Sequence, residues 1–321
     1  MLFWACGNKR DTFQAEPVSI NVERFEQDLF SADTQNVNQW MAQLDQKYPN
    51  WLRLYFEGIM KFGQLEDPAI LPIIKDYSTN QYLLELKEDC DSVFGAFAEE
   101  QKALELAFGN FKHYFPETST PRVITFVAGF NNQIVIGDSL VGIGLDMFLG
   151  PNYKYYQTTN IPRYIIAKLD KKFLPVNTMK GVIESEFPSP SEENFTHKMI
   201  IEGKRMVILD YLFPNTPDSI KIGYSEEQME YCLLNEGKIW SFFIENNLLY
   251  SNLNADMAKY FNDAPFTVTL SPNSSPKLGV FIGWQIVKKY LEKNPDITLQ
   301  ELMEENDYQK IMQVANYKPR I

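Results

Sequence analysis

The sequence predicts an α+β protein, predominantly helical, with one small β-sheet. Three observations carry that prediction. Apolar and aromatic residues recur at helical spacing between residues 31 and 115. The composition then turns β-branched, with Arg122–Ala128 reading RVITFVA between turn residues. Helical spacing returns over residues 160–321. No linker, internal repeat or low-complexity segment divides the chain. The organisation read from it is one α+β domain over residues 19–321, helical in 19–115, with the sheet in 122–146 and helices again in 160–321.

Taken in order, residues 7–17 are polar, contain Pro17 and suit a short tether. Ser19–Phe30 opens with alternation and enters the fold as a strand ahead of a helix. Val37, Trp40, Met41 and Leu44 space a helix over Gln35–Lys47, which Pro49 interrupts. Trp51–Phe62 continues as an aromatic-rich helix, followed by shorter ones at Pro68–Tyr77 and Tyr82–Glu88. Asp91–Tyr114 is the longest of this half, with Phe94, Phe97, Leu104, Phe108 and Phe111 on its apolar side. Arg122–Ala128, Gln133–Ile136 and Leu140–Leu145 form the sheet as a hairpin or small meander. Its turns fall at Asn131-Asn132 and Asp138-Ser139, and Phe266–Leu270 is a candidate fourth strand. Helices follow at Ile161–Phe173, Val176–Glu186, Asn194–Leu212, Glu226–Asn247, Ala255–Phe261 and Gly279–Lys293, then two short ones. Ser225 with Gln228, and Thr298 with Glu301, have capping-box spacing.

The chain has 321 residues, 45% of them hydrophobic, enough for a sizeable core. Its net charge of −12 repels phosphate backbones and anionic lipid surfaces, which argues against nucleic acid as a partner. No run of apolar residues is long enough for a membrane-spanning helix. The start, MLFWACGNKRD, places Phe3, Trp4 and the small residue Ala5 before Cys6. That order fits the end of a lipoprotein signal, although the residues alone favour an ordinary terminus with a cysteine; the apolar stub is too short for a whole signal peptide. Cys90 and Cys232 can pair or stand as separate buried thiols, and the second reading is preferred because neither has close redox or metal spacing.

The chemistry-bearing motifs are few. The only histidines are His113 and His197, which excludes two histidines four apart on one helix, the common zinc-hydrolase motif. There is no GxSxG elbow and no Walker sequence, and Gly142 and Gly144 lack the rest of a dinucleotide loop. Asp210 and Asp218 read as helix caps. Lys204 and Arg205 beside Glu202 read as ion-pairing partners. Gly279 and Gly283, four apart, allow another backbone to approach the helix. Trp284 would be an anchor there and Gln285 an inward hydrogen-bonding group, with tight helix packing preferred over a ligand cleft.

Several separated blocks occur in a fixed order: GLDMFLG at 144–150, EGKRMVILDYLFP at 202–214, IGYSEEQ at 222–228, IWSFFIENNLLY at 239–250, APF at 264–266 and GWQIVKKY at 283–290. With this pattern the chain resembles the gliding-motility-associated lipoproteins of the Bacteroidota, the GldB family. The resemblance implies acylation at Cys6, with residues 1–5 the tail of a signal peptide and 6–18 the lipidated cysteine and tether. It implies a periplasm-facing protein of the outer membrane that serves gliding and associated secretion through contacts with other envelope proteins. The family is in turn distantly similar to predicted zinc peptidases, which carry a histidine-glutamate helix, a Glu-Gly pair, and a glycine-bearing helix before a tyrosine. Glu202-Gly203 resembles that pair and Gly279–Tyr290 that last helix. The metal helix then falls on Thr178–Phe187, with Gly181 and Ser185 at the histidine positions and Val182 at the general base. None of the three binds zinc or activates water, so the resemblance implies a degenerate zincin-like scaffold without metal, cofactor or catalytic residues. It would act by binding protein or peptide through Glu184, Glu202, Lys204, Trp240, Trp284 and Gln285. Two rival expectations are a hydrolase of envelope peptides using Glu184, Glu202 and Asp146, and a cell-wall glycan-binding module using tyrosines and tryptophans as stacking platforms.

Overall fold

The computed structural model describes residues 15–31, 35–190, 194–263 and 274–320; Cys6 and the candidate strand Phe266–Leu270 lie outside them. The fold is predominantly helical around one four-stranded sheet, an α+β architecture. The strands are β1 (Val22–Arg24), β2 (Arg122–Phe126), β3 (Ile134–Gly137) and β4 (Leu140–Gly144), in spatial order β1-β2-β4-β3. β1 runs parallel to β2 and β2 parallel to β4, while β3 is antiparallel to β4.

The expected hairpin is therefore β3–β4, turning at Asp138-Ser139 with Ser139 in the left-handed region (φ 55°). The meander is corrected: β2 pairs with β4, not with β3. Gly129 and Phe130, both at positive φ, steer the chain past the site that β4 later occupies. The hairpin then folds back to insert β4 beside β2. Asp146 holds this turn, its Oδ2 accepting from Ala128 N (3.2 Å) and Phe130 N (2.7 Å). β1, followed at once by the short helix Phe25–Leu29, fulfils the strand-then-helix reading of Ser19–Phe30.

The apolar continuity of β2 and β4 reflects burial on both faces. On one face, Ile124, Phe126 and Leu140 meet Phe25, Tyr48, Trp51, Tyr55 and Phe56. The Trp51 ring lies against Gly142 where a Cβ would stand, which is why glycine occupies that position. On the other face, Val123, Val141 and Ile143 join the larger core with the later helices.

Several helix boundaries differ from the sequence reading. The segment read as Tyr82–Glu88 and Asp91–Tyr114 forms Gln81–Phe94 and Ala98–Tyr114, broken where Gly95 and Phe97 take positive φ. Trp51–Phe62 begins as an α-turn and continues as a π-helix, Leu54–Ile59. Ile161–Phe173 holds only two short pieces, Arg163–Ile166 and Lys171–Phe173. Glu226–Asn247 divides at Asn235 into Glu226–Leu234 and Glu236–Glu245. Both capping boxes form.

Helices Phe195–Leu212 and Leu278–Lys293 cross closely at glycines. A Cβ on Gly203 would strike the Gly283 carbonyl, and one on Gly283 would strike the Met199 carbonyl. Trp284 is buried and donates from Nε1 to Asp210 Oδ2 (2.8 Å), with the Lys288 ammonium 3.7 Å from its ring centroid. Asp210 and Asp218 do not cap helices. They form an ion cluster with Lys221 (2.8 and 3.2 Å) and Lys288 (3.5 and 3.2 Å). Cys90 and Cys232 are separate buried thiols.

Candidate binding cleft

A cleft of ≈ 750 Å³ opens between β3 and the helix Leu174–Glu186. Gly181 brings the helix onto the strand. A Cβ there would sit 3.1 Å from Ile134 Cγ2 and 3.3 Å from Ile136 Cδ1. The strand's far edge is open. Gln133 accepts from Gly144 N (2.8 Å), so residues 133, 135 and 137 direct their backbone groups at β4. The N–H and C=O of Ile134 and Ile136 point the other way and have no partner among the described residues.

Charge is gathered at the helix side. Asp263 accepts from Lys168 (2.5 Å) and Lys277 (2.8 Å). Burial alone would raise the Asp263 carboxyl, but those two lysines hold it below its usual range. Burial, with Lys277 beside it, depresses Lys168. Lys180 is depressed further, to about 7, by burial first and then by Lys277 and Lys168, against the pull of Asp263 and Glu184. A smaller cavity of ≈ 220 Å³ shares Lys180, Glu184 and Lys277 with the cleft and adds Glu202 and Arg205. Burial raises the Glu202 carboxyl, while Arg205, paired to it at 2.8 Å, opposes the shift. Arg205 also donates to the Phe187 carbonyl (2.8 Å) and Ser189 Oγ (3.1 Å), and its Nε is buried without a partner among the described residues.

The structure thus brings Glu184 and Glu202 together beside the cleft and leaves the other sequence-derived candidates elsewhere. Lys204 is buried and donates to the Glu305 carbonyl (2.5 Å), with its ammonium pushed down to about 8 by burial. Trp240 packs edge-on against Tyr317 at 5.4 Å. Trp284 is enclosed between helices, Gln285 is partly buried beside it, and none of these four lines either cavity. Asp146 is fully buried beneath the 128–130 turn, also outside both cavities. Its carboxyl is pushed up to about 6 by burial, against backbone N–H donors, and Oδ1 has no partner among the described residues. Gly181 and Ser185 line the cleft, whereas Val182 packs on the core. Among the described residues no three of His, Cys, Asp and Glu are grouped to hold a metal ion.

Sequence reasoning missed Lys168, Lys180, Asp263 and Lys277. One signal pointed to Lys180. Val176, Met179 and Ile183 set the buried face of its helix, and a residue four after Val176 shares that face. The other three converge from distant segments and carry no local signal.

The fold and cleft together define a helix-rich α+β protein with a charged groove at the open edge of its sheet. The chain belongs to the GldB family: the family profile described as gliding motility protein GldB matches residues 6–319, nearly the whole chain. This is the family that the ordered sequence blocks resemble, a family of lipoproteins associated with gliding motility and so with the cell envelope. No curated protein and no solved structure shows a significant match to it. No helix among the described residues is long and apolar enough to cross a membrane.

Proposed function

We propose that this chain is an outer-membrane lipoprotein, acylated at Cys6 and facing the periplasm, that serves the gliding and associated secretion machinery by holding a peptide segment of an envelope partner. The segment lies extended along β3. The observation that carries the reading is the ≈ 750 Å³ cleft beside a strand whose outward N–H and C=O groups have no partner among the described residues. Such an edge accepts an added strand through main-chain hydrogen bonds, with neighbouring pockets supplying specificity.

A non-catalytic, degenerate zincin-like scaffold fits the same residues. The helix bearing Gly181 and Ser185, the helix bearing Glu202, and Val280 near the start of the Trp284 helix all border the two cavities, in the order the resemblance implies. The side chains at the former ligand and base positions have no metal-binding or base chemistry. Glu202 is engaged by Arg205. Stacking of sugars finds less support at this cleft, since the linings of it and of the adjoining cavity contain Phe173 and Phe261 but no tyrosine or tryptophan.

The test is a photo-crosslinking amino acid at Ile136 in the native organism, with the conjugates identified by mass spectrometry. Peptides from an envelope protein are the expected product, absent when the probe sits on the exposed Tyr250. Casein turnover that disappears in Glu202→Ala would instead establish a hydrolase. Sedimentation with purified cell wall would establish a glycan-binding module. Membrane fractionation of Cys6→Ala tests the anchor: release into the soluble fraction is expected, and full retention contradicts acylation.

A further inference from the structure

We infer that the cleft selects an acidic peptide, with Lys180 receiving a carboxylate from the segment that lies along β3. This inference rests on the peptide-binding reading above and names the chemistry of its ligand. The cleft carries three lysines, Lys168, Lys180 and Lys277, against the carboxylates of Asp263 and Glu184. Asp263 is shared by Lys168 and Lys277. Lys180 has no ion pair and no hydrogen bond among the described residues, although it lines both cavities.

A partly buried ammonium with no carboxylate in contact is costly, and an arriving carboxylate relieves that cost through a charge-assisted hydrogen bond. Position supports the same conclusion. Lys180 immediately precedes Gly181, the residue that touches Ile134 and Ile136. Its ammonium is therefore within a side chain's reach of a strand added at that edge. Backbone pairing to Ile134 and Ile136 takes any sequence, so discrimination falls to the side-chain groups around the cleft. The chain as a whole is acidic, at −12, so an acidic ligand is favoured only where cations are locally in excess, as in this cleft.

The charge state of Lys180 adds a second readout. The groups facing it are Lys168, Lys277, Asp263 and Glu184, and together with burial they hold its ammonium at about 7. Carboxylate recognition through Lys180 weakens as pH rises through about 7, while the ligand carboxylate, with an ordinary pKa of about 4, stays ionised throughout.

The experiment is fluorescence anisotropy on the full chain with three labelled, alternating apolar peptides identical except for Asp, Asn or Lys at one central position. The Asp peptide is expected to bind about tenfold more tightly than the Asn peptide, and the Lys peptide most weakly. In Lys180→Met the Asp and Asn peptides bind alike and the pH dependence near neutrality disappears. In Lys180→Glu the order inverts in favour of the Lys peptide, which a variant that merely failed to fold does not produce. Equal binding of the Asp and Asn peptides to the wild type, or an Asp preference that survives in Lys180→Met, overturns the inference and leaves the peptide reading standing. Binding of none of the three overturns both.

Discussion

Replacing Gly203 with alanine tests whether the crossing of the two central helices is set by backbone contact. Two effects oppose each other. Alanine gains about 1 kcal/mol over glycine in a helix interior. Against this, the new Cβ would lie 2.9 Å from Trp284 N, and closer still to the carbonyl of Gly283. Those are backbone atoms, so no side-chain rotation relieves the clash. To restore ordinary carbon contacts near 3.5 Å the helices must part by roughly 1 Å. Overpacking of a well-filled core costs about 1–3 kcal/mol, and the rigid neighbour places this case at the upper end. The expected net loss is about 2 kcal/mol, or roughly 3 °C in melting temperature for a chain of this size.

The assay is calorimetric melting of Gly203→Ala, Gly283→Ala and the double variant. Each single variant should melt below the wild type. The double variant should lose less than the two losses combined, because one separation of the helices accommodates both methyl groups. Parting the helices also shifts Glu202 and Arg205, which border the smaller cavity, so peptide affinity should fall with stability. A Gly203→Ala protein that melts at or above the wild-type temperature refutes the reasoning. In that case propensity would outweigh the clash, and the crossing distance would not depend on glycine.

Three further outcomes follow from buried polar groups. The Lys180 ammonium, at about 7, lies below its unfolded value of about 10.4, so the unfolded chain binds the extra proton between those values. The penalty is full below pH of about 7 and fades towards 10; Lys180→Met should raise stability in urea by at most about 5 kcal/mol at mildly acid pH and by little near pH 10. Asp146 has the opposite sign of shift for a carboxyl: its folded value of about 6 exceeds the unfolded one, so its contribution is fully present below pH of about 4 and lost as pH rises through about 6. That slope amounts to at most about 3 kcal/mol, and Asp146→Asn should flatten it in urea midpoints measured across this range. Trp284→Phe removes the donor to Asp210 and should cost about 1–2 kcal/mol by thermal melting, at the lower end because Lys221 and Lys288 still hold the carboxylate.

How much of this was legible in the sequence depended on whether the cause was local. The β3–β4 hairpin was readable because its turn residues and its alternation lie within a dozen positions. The insertion of β4 beside β2 was not, since it depends on the Gly129–Phe130 turn and on Asp146 bonding back to it across the chain. Asn235 divides one expected helix where Gly237, two residues on, could equally sit inside a continuous helix, and Gly95 could likewise sit inside a helix or end one. In the cleft, Glu184 and Glu202 were found through a resemblance and Lys180 could have been found from its helix face. Lys168 and Asp263 meet across 95 residues, a pairing that only the folded chain reveals.

The helix that the proposed peptidase resemblance aligns with a metal helix permits a last prediction. On the alignment that the resemblance implies, Gly181 occupies a histidine position, and restoring that ligand looks like a matter of chemistry alone. The packing opposes it. A Cβ at 181 already lies 3.1 Å from Ile134 and 3.3 Å from Ile136, tighter than ordinary carbon contact, before any imidazole is added. The helix has settled onto β3 in a way that a histidine would push apart. The triple variant Gly181→His, Val182→Glu, Ser185→His should therefore lose about 1–3 kcal/mol in thermal melting. It should also carry no stoichiometric zinc by elemental analysis after purification in zinc-containing buffer. Stoichiometric zinc with an unchanged melting temperature would support the proposed zincin-like placement of this helix. Failure of both would mean that the packing of helix on strand excludes a metal site, leaving the lysines rather than a metal to meet whatever enters the cleft.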